Sequence, residues 1–221
     1  MKAMLSPSLM CADLLNLGSE VALLDKAGAE YVHLDFMDGV FVPNVALDAE
    51  LIRRVKQVLV NMKRDIHIMA YNPEKYFDAM NIGKGDIVSV HIESSKDVRK
   101  VLDEIKSRGA NPFLAISPDT QPEVINDYTD IISGVLVMTV YPGFAGQPIV
   151  PGSFEKISAV RNLIDKSGKE IILEVDGHVS WDLCKNMRSA GADLFVAGSS
   201  SVFSGDYTLD RAVEKMRDLI S

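Results

Sequence analysis

The stretch "YVHLDFMDGVFVPN", Tyr31 to Asn44, begins as a β-strand and carries a histidine and two aspartates inside it. Side chains two apart on a strand leave the same face, so His33, Asp35 and Met37 form one row, and Leu34 and Phe36 form the opposite one. An apolar interior tolerates a carboxylate only when something compensates its charge. Something must therefore compensate Asp35, whose own strand offers no Lys or Arg.

Working outward, seven further short apolar or β-branched runs recur along the chain: "LSPSLM" from Leu5, "RDIHIMA" from Arg64, "DIVSVHIE" from Asp86, "PFLAIS" from Pro112, "GVLVMTV" from Gly134, "EIILEVD" from Glu170 and "LFVAG" from Leu194. Amphipathic helical patterns separate them, at Leu14 to Ala27, Ala49 to Leu59, Lys96 to Arg108, Ser153 to Lys166 and Trp181 to Ala190. Gly28, Gly109, Gly168 and Gly191 stand where helices stop. The 221 residues, 47% of them hydrophobic, show no linker or composition break, so we read 1–221 as one domain. Eight strand-helix alternations in that length predict an α/β fold closed into a single (β/α)8 barrel. An open doubly wound sheet is the rival; neither GxGxxG after the first strand nor GxxxxGK[ST] anywhere supports it.

Composition excludes several classes of partner. A net charge of −8 without dense runs of Lys or Arg argues against nucleic acid or an anionic membrane surface. No apolar run is long enough to span a bilayer and nothing reads as a signal peptide, which points to the cytoplasm. The two cysteines, Cys11 and Cys184, lack metal-ligand spacing and read as reduced thiols.

In a barrel of this kind, active sites collect at the C-terminal ends of the strands. There, period-two alternation turns His33, Asp35, His67 and Asp176 inward, opposite in phase to Ile66, Ile68, Leu173 and Val175. Two imidazoles and two carboxylates suit one divalent metal ion, Zn²⁺, Fe²⁺, Co²⁺ or Mn²⁺. Such an ion would compensate Asp35. The loops "YPGFAGQ", "DGHVS" and "GSSS", after the sixth, seventh and eighth strands, hold no Lys or Arg; their backbone amides, with Gly143, Gly146, Gly177, Gly198 and Ser199, are candidates to bind a phosphate.

The segments "SPSLMCADL", "HLDFMDGVFVPN", "HIMA", "VMTVYPGFAGQ", "EVDGHVS" and "AGSSSVF" resemble, in that order, the motifs of the ribulose-phosphate 3-epimerase family of phosphate-binding (β/α)8 barrels. The resemblance runs from Ser6 to Phe203. It implies a metal-dependent isomerase, a ketose-phosphate 3-epimerase, with His33, Asp35, His67 and Asp176 on the metal and Asp35 and Asp176 as the two acid/base groups. It also implies that Ser8 contacts a small sugar phosphate, that Met37, Met69 and Met138 line the mouth, and that the chain forms a homo-oligomer. Tyr141, Ser117 and Ala145 depart from the family pattern. "SLMC" and "PGFAGQP" look more like the allulose-6-phosphate branch and "HIE" at His91 more like the ribulose-5-phosphate branch, with the balance slightly toward the former. His91 is open to a substrate contact or a core position; His178 reads as a loop residue.

Functions of other classes fit less well. A Schiff-base aldolase needs a lysine near a strand's C-terminal end, whereas Lys63 and Lys169 stand at strand beginnings. A metal-dependent hydrolase usually shows HxH on its first strand, where this chain has "PSL". A non-catalytic sugar-phosphate binding barrel remains the alternative, although binding alone would not require both Asp35 and Asp176.

Overall fold

The computed structural model describes residues 2–221. Nine strands form one sheet: β1 (Met4–Pro7), β2 (Tyr31–Asp38), β3 (Val45–Ala46), β4 (Lys63–Met69), β5 (Ile87–His91), β6 (Asn111–Ile116), β7 (Gly134–Met138), β8 (Ile172–Asp176) and β9 (Leu194–Ala197). Their order is β1-β9-β8-β7-β6-β5-β4-β2-β3. All neighbours are parallel except β3, which pairs antiparallel with the end of β2. A parallel bridge between Ser8 and His33 joins β1 to β2 and closes the ring. Setting β3 aside as a short hairpin appendage leaves the eight-strand barrel read from the sequence.

The outward faces carry the main apolar core. Val32, Leu34, Ile66, Ile68, Val88, Val90, Leu173 and Val175 are buried under the helices. Those helices are α1 (Leu17–Ala27), α2 (Ala49–Val55), α3 (Phe77–Met80), α4 (Val98–Ser107), α5 (Ser153–Ser167), α6 (Cys184–Ser189) and α7 (Leu209–Ile220). Asp48 and Asp97 cap α2 and α4, each accepting a backbone N–H three residues on. The four helix-stop glycines all have positive φ, as expected of left-handed C-terminal stops.

The helical expectations need correction in places. The helix expected to run from Ala49 to Leu59 stops at Val55, because the Asp25 carboxylate takes the N–H groups of Val60, Asn61 and Met62 and draws the chain toward β4. The segment from Trp181 is a turn until Cys184. Between β6 and β7, where no helical pattern is read from the sequence, the connection is a 3₁₀ helix, Pro122–Tyr128; Pro122 at its start has no N–H to give. The sequence reading also left out the amphipathic α7, which buries Ala212, Val213, Met216 and Ile220.

Inside the barrel the side chains form layers. Ile87, Phe113 and Leu194, joined by Met4, Tyr31 and Ile172, make an apolar floor. Above it lie the buried polar groups Ser6, His33, Asp65, Ser89 and Glu174, and toward the mouth Ser8, Asp35, His67 and His91. The floor depends on one missing side chain: a Cβ on Gly134 would lie 2.3 Å from the Phe113 ring on the adjoining strand. We expect Gly134→Ala to overpack this layer and cost about 1–3 kcal/mol, read as a lowered urea midpoint. An unchanged midpoint would show that the Phe113 ring has room to move.

Candidate active site

Strand register assembles the centre. Asp35 of β2 stands beside His67 of β4, and Met138 of β7 beside Asp176 of β8. Asp35 Oδ1 lies 3.2 Å from His33 Nε2 and 3.2 Å from His67 Nδ1. Asp176 Oδ2 lies 4.0 Å from the first nitrogen and 3.8 Å from the second. The ligand atoms of all four residues fall within 4.8 Å of one another. Donors held about 2.0–2.2 Å from a tetrahedral ion sit roughly 3.3–3.6 Å apart, so this set fits a divalent cation with small adjustments. His33, Asp65 and Glu174 form a second compact group deeper in the barrel, each sealed from solvent. The upper group is better suited to an exchangeable ion, since Asp176 retains 19% side-chain exposure and opens on the mouth.

The deeper group supports the upper one. His33 Nδ1 donates to Asp65 Oδ2 at 2.6 Å, and Ser6 Oγ donates to the same oxygen at 2.8 Å. With one proton held on Nδ1, the Nε2 proton that faces Asp35 is the one a cation would displace, which makes Nε2 the ligand nitrogen. Sequence reading did not single out Asp65 or Glu174. The signal was there: Asp65 is two residues before His67 and Glu174 two before Asp176, so the same alternation turns them inward one layer lower.

The electrostatics split the carboxyls into two kinds. Burial alone would raise the Asp35 carboxyl, but the His33 charge and hydrogen bonds from His33 and His67 hold it well below the usual range. Ser8 Oγ also donates to Asp35 Oδ2, at 2.7 Å. Asp176 goes the other way: burial, with the charges of Asp35 and Asp65 outweighing the help of His33, pushes it up to about 7. Glu174 is likewise raised well above the usual range, by burial and then by Asp65. Burial would lower His33, yet the carboxylates of Asp65 and Asp35 raise it well above an ordinary histidine. His67 is lowered, chiefly by burial.

Above this centre one cavity is lined by Asp35, Asp176, Ser8, Met37, Met69 and Met138, and by Gly143, Gly146, Gly177, Gly198 and Ser199. Every mouth and phosphate-loop residue expected from the sequence is therefore in one place; His33 and His67 lie beneath. Gly177, at φ 116, is required there, because a Cβ would meet the backbone N of Val140 at 2.7 Å. No lysine or arginine lines the cavity. The nearby Lys156 amine is spent on the carbonyls of Ser117, Pro118 and Thr120. Tyr141 lines the mouth and donates its hydroxyl to Asp119 at 3.0 Å. His178, read as a loop residue, does lie in a loop but also lines the cavity, with φ 48 and Nδ1 donating to Gln147 O at 2.9 Å. His91 is fully buried and does not line the cavity, so the substrate-contact option for it finds no support.

A model of the ribulose-phosphate 3 epimerase family matches residues 4–203. Relatives include the ribulose-phosphate 3-epimerase of Bacillus subtilis (strain 168), 36% identical over 196 residues covering 88% of this chain and 90% of the relative. That of Escherichia coli (strain K12) is 33% identical over 214 residues, covering 97% and 94%. Among solved structures, KGPDC from Streptococcus mutans matches with TM-score 0.70 at 13% identity, over 100% of this chain and 98% of that one. A 3-hexulose-6-phosphate synthase matches with TM-score 0.64 at 16% identity, over 100% of both chains. At such identities these two likenesses speak for the fold alone. Among the described residues, no helix is long and apolar enough to cross a membrane.

If the upper group is the metal site, alanine at either His33 or His67 should lower bound metal per chain at least several-fold. Elemental analysis of the purified variants checks this, and full occupancy in both would remove the site.

Proposed function

The chain belongs to the ribulose-phosphate 3-epimerase family, and we propose that its centre inverts C3 of a ketose phosphate by passing protons between Asp35, Asp176 and the two faces of an enediolate. The family makes the protein an isomerase, a ketose-phosphate 3-epimerase with a small sugar phosphate as substrate. The observation that carries the mechanism is the split of the two aspartates. One is held ionised and the other raised to about 7, within the reach of the same two histidines. Paired carboxyls pushed apart in this way are suited to opposite roles as base and acid.

The proton beside a ketose carbonyl is weakly acidic, and its removal builds negative charge across C2 and C3. A divalent ion held by His33, Asp35, His67 and Asp176 would supply a Lewis acid for that charge. The protein's own groups do the rest. The ionised carboxyl takes the C3 proton from one face, and the protonated one returns a proton from the other. Asp35 on β2 and Asp176 on β8 stand on separate walls, which allows two-sided transfer. Ser8, bonded to Asp35, orients that carboxylate, and the three methionines exclude water beside the reacting carbons. Backbone amides of the glycine loops and Ser199 are proposed to receive the phosphate, in a mouth that offers no side-chain cation.

For the sugar we propose D-allulose 6-phosphate, interconverted with D-fructose 6-phosphate. The segments behind that choice supply Met10, Cys11, Phe144 and Ala145 to the cavity wall, where chain length would be sensed. The second reading, D-ribulose 5-phosphate with D-xylulose 5-phosphate, is favoured by the names of the curated relatives. Turnover of each substrate with added divalent metal separates the two: a higher kcat/KM for the six-carbon sugar is expected, and the reverse ratio would install the second reading. Negligible turnover of both would favour a non-catalytic binding barrel.

Asp176→Asn tests the two-sided mechanism. With metal occupancy first checked and restored by excess ion, epimerisation should fall to background while one epimer, and only one, still exchanges its C3 hydrogen in deuterium oxide. Residual conversion with equal exchange into both epimers would leave Asp176 at most a metal ligand.

A further inference from the structure

His67 Nε2 lies 2.8 Å from Nε2 of His91, with ring centroids 5.0 Å apart and both side chains fully buried. Two ring nitrogens at that distance hold a single proton between them: with none the lone pairs repel, and with two the protons collide. The question is which ring owns it. The far side of His91 decides. Its Nδ1 faces Glu93 Oε2 at 3.3 Å and Ser117 Oγ at 3.3 Å. Glu93 is an acceptor there, because burial is outweighed by the hydrogen bonds of His91 and Thr120, which hold its carboxyl down to about 2. The Thr120 hydroxyl and the Ser117 N–H both donate to its other oxygen. A proton on His91 Nδ1 satisfies Glu93, and a neutral His91 then offers Nε2 as an acceptor. On the other side of the ring, His67 Nδ1 lies 3.2 Å from the Asp35 carboxylate, which attracts the proton the opposite way until a cation takes that nitrogen; with the cation bound, the shared proton belongs to His67 Nε2.

We propose that His91, oriented by Glu93, is a positioning residue for the metal centre: by accepting the His67 Nε2–H it stabilises the tautomer in which His67 Nδ1 is free to bind the ion beside Asp35 and Asp176. This rests on the reading of the upper group as a metal site. The opposite tautomer, which donates His67 Nδ1–H to Asp35 Oδ1 at 3.2 Å, leaves no ligand nitrogen for the ion and turns a bare His91 Nδ1 lone pair toward the Glu93 carboxylate. The arrangement mirrors the one beneath His33, where Asp65 fixes the proton on Nδ1 and leaves Nε2 as the ligand nitrogen. Each histidine of the centre thus has its ligand nitrogen selected by a carboxylate, directly in one case and through a second imidazole in the other. The support extends outward, since Lys156 binds the carbonyls of Ser117, Pro118 and Thr120 and so holds the loop that flanks Glu93. Phe41 packs on the His91 ring, with centroids 5.0 Å apart.

The test uses the full chain and Co²⁺ or Zn²⁺ alone. His91→Leu removes the acceptor, and His91→Gln supplies a carbonyl oxygen in its place. Co²⁺ affinity, measured by competition with a chromophoric chelator, should fall about 10–100-fold in His91→Leu and stay within a few-fold of wild type in His91→Gln. In the Zn²⁺-loaded wild type, long-range ¹⁵N–¹H spectra of labelled imidazoles should show His67 protonated at Nε2 and His91 at Nδ1. Those spectra decide the matter even if a variant fails to fold. Wild-type affinity in His91→Leu, equal loss in both variants, or a proton on His91 Nε2 would each overturn the proposal while leaving the metal site standing. A wild type that takes up no Co²⁺ would instead remove the metal site, and this role with it.

Discussion

The structure depends on how protons are shared among ionisable side chains sealed inside one barrel. His33, Asp35, Asp65 and Glu174 are each at most 4% exposed, and Asp176 lies beside them. Water cannot compensate charge at that depth, and like charges a few ångströms apart cannot all ionise. The protons therefore distribute themselves: His33 is raised by the two carboxylates it joins, Asp35 and Asp65 are lowered in return, and Glu174 and Asp176 are raised. With His67 lowered and neutral, one cation faces two anions, a site left one charge negative. A divalent cation would answer that excess by displacing the Nε2 proton of His33 and leaving Asp176 its own, which is why metal uptake and acid/base chemistry belong to the same residues.

Depth gives each layer its task. The apolar floor of Phe113, Ile87 and Leu194 shuts the barrel's lower end, so polar groups above it are reached only from the mouth. The middle layer never meets the cavity; in it Asp65 holds the Nδ1 proton of His33 and so directs the other nitrogen upward. Only the top layer, where Asp35 and Asp176 line the cavity together with Ser8 and the methionines, can touch a substrate. Moving a ligand two residues along its strand would carry it from one task to another, because a barrel strand offers one inward position per layer.

That same rule explains what the sequence revealed. Alternation within β2, β4 and β8 was enough to turn His33, Asp35, His67 and Asp176 inward, and the eight-strand count was enough to close them into a ring. Asp65 and Glu174 obey the alternation equally, but a reading drawn to the mouth stopped one layer short. His91 was beyond it for a different reason: its meaning lies in the nitrogen it faces on another strand, and that requires the register of β4 against β5. The early end of α2 depends on Asp25, whose partners at Val60, Asn61 and Met62 are about 35 residues away, outside any local window. The hairpin strand β3 is two residues long and leaves no periodic trace.

The cation-free mouth also follows from the charge balance. A lysine or arginine close enough to grip a phosphate there would sit near Asp176 and lower its carboxyl, working against the burial that raises it to about 7. Backbone amides and hydroxyls hold an anion through dipoles, whose influence falls off faster with distance than that of a full charge. In the proposed reaction, the phosphate's own negative charge would add to the effect of Asp35 and Asp65, favouring the proton-carrying form of Asp176 as substrate enters. Lys156 illustrates the same economy from outside, its charge absorbed by three carbonyls of a neighbouring loop. A centre that must keep one aspartate ionised and its neighbour protonated is best served by a mouth that recognises anions without contributing a cation.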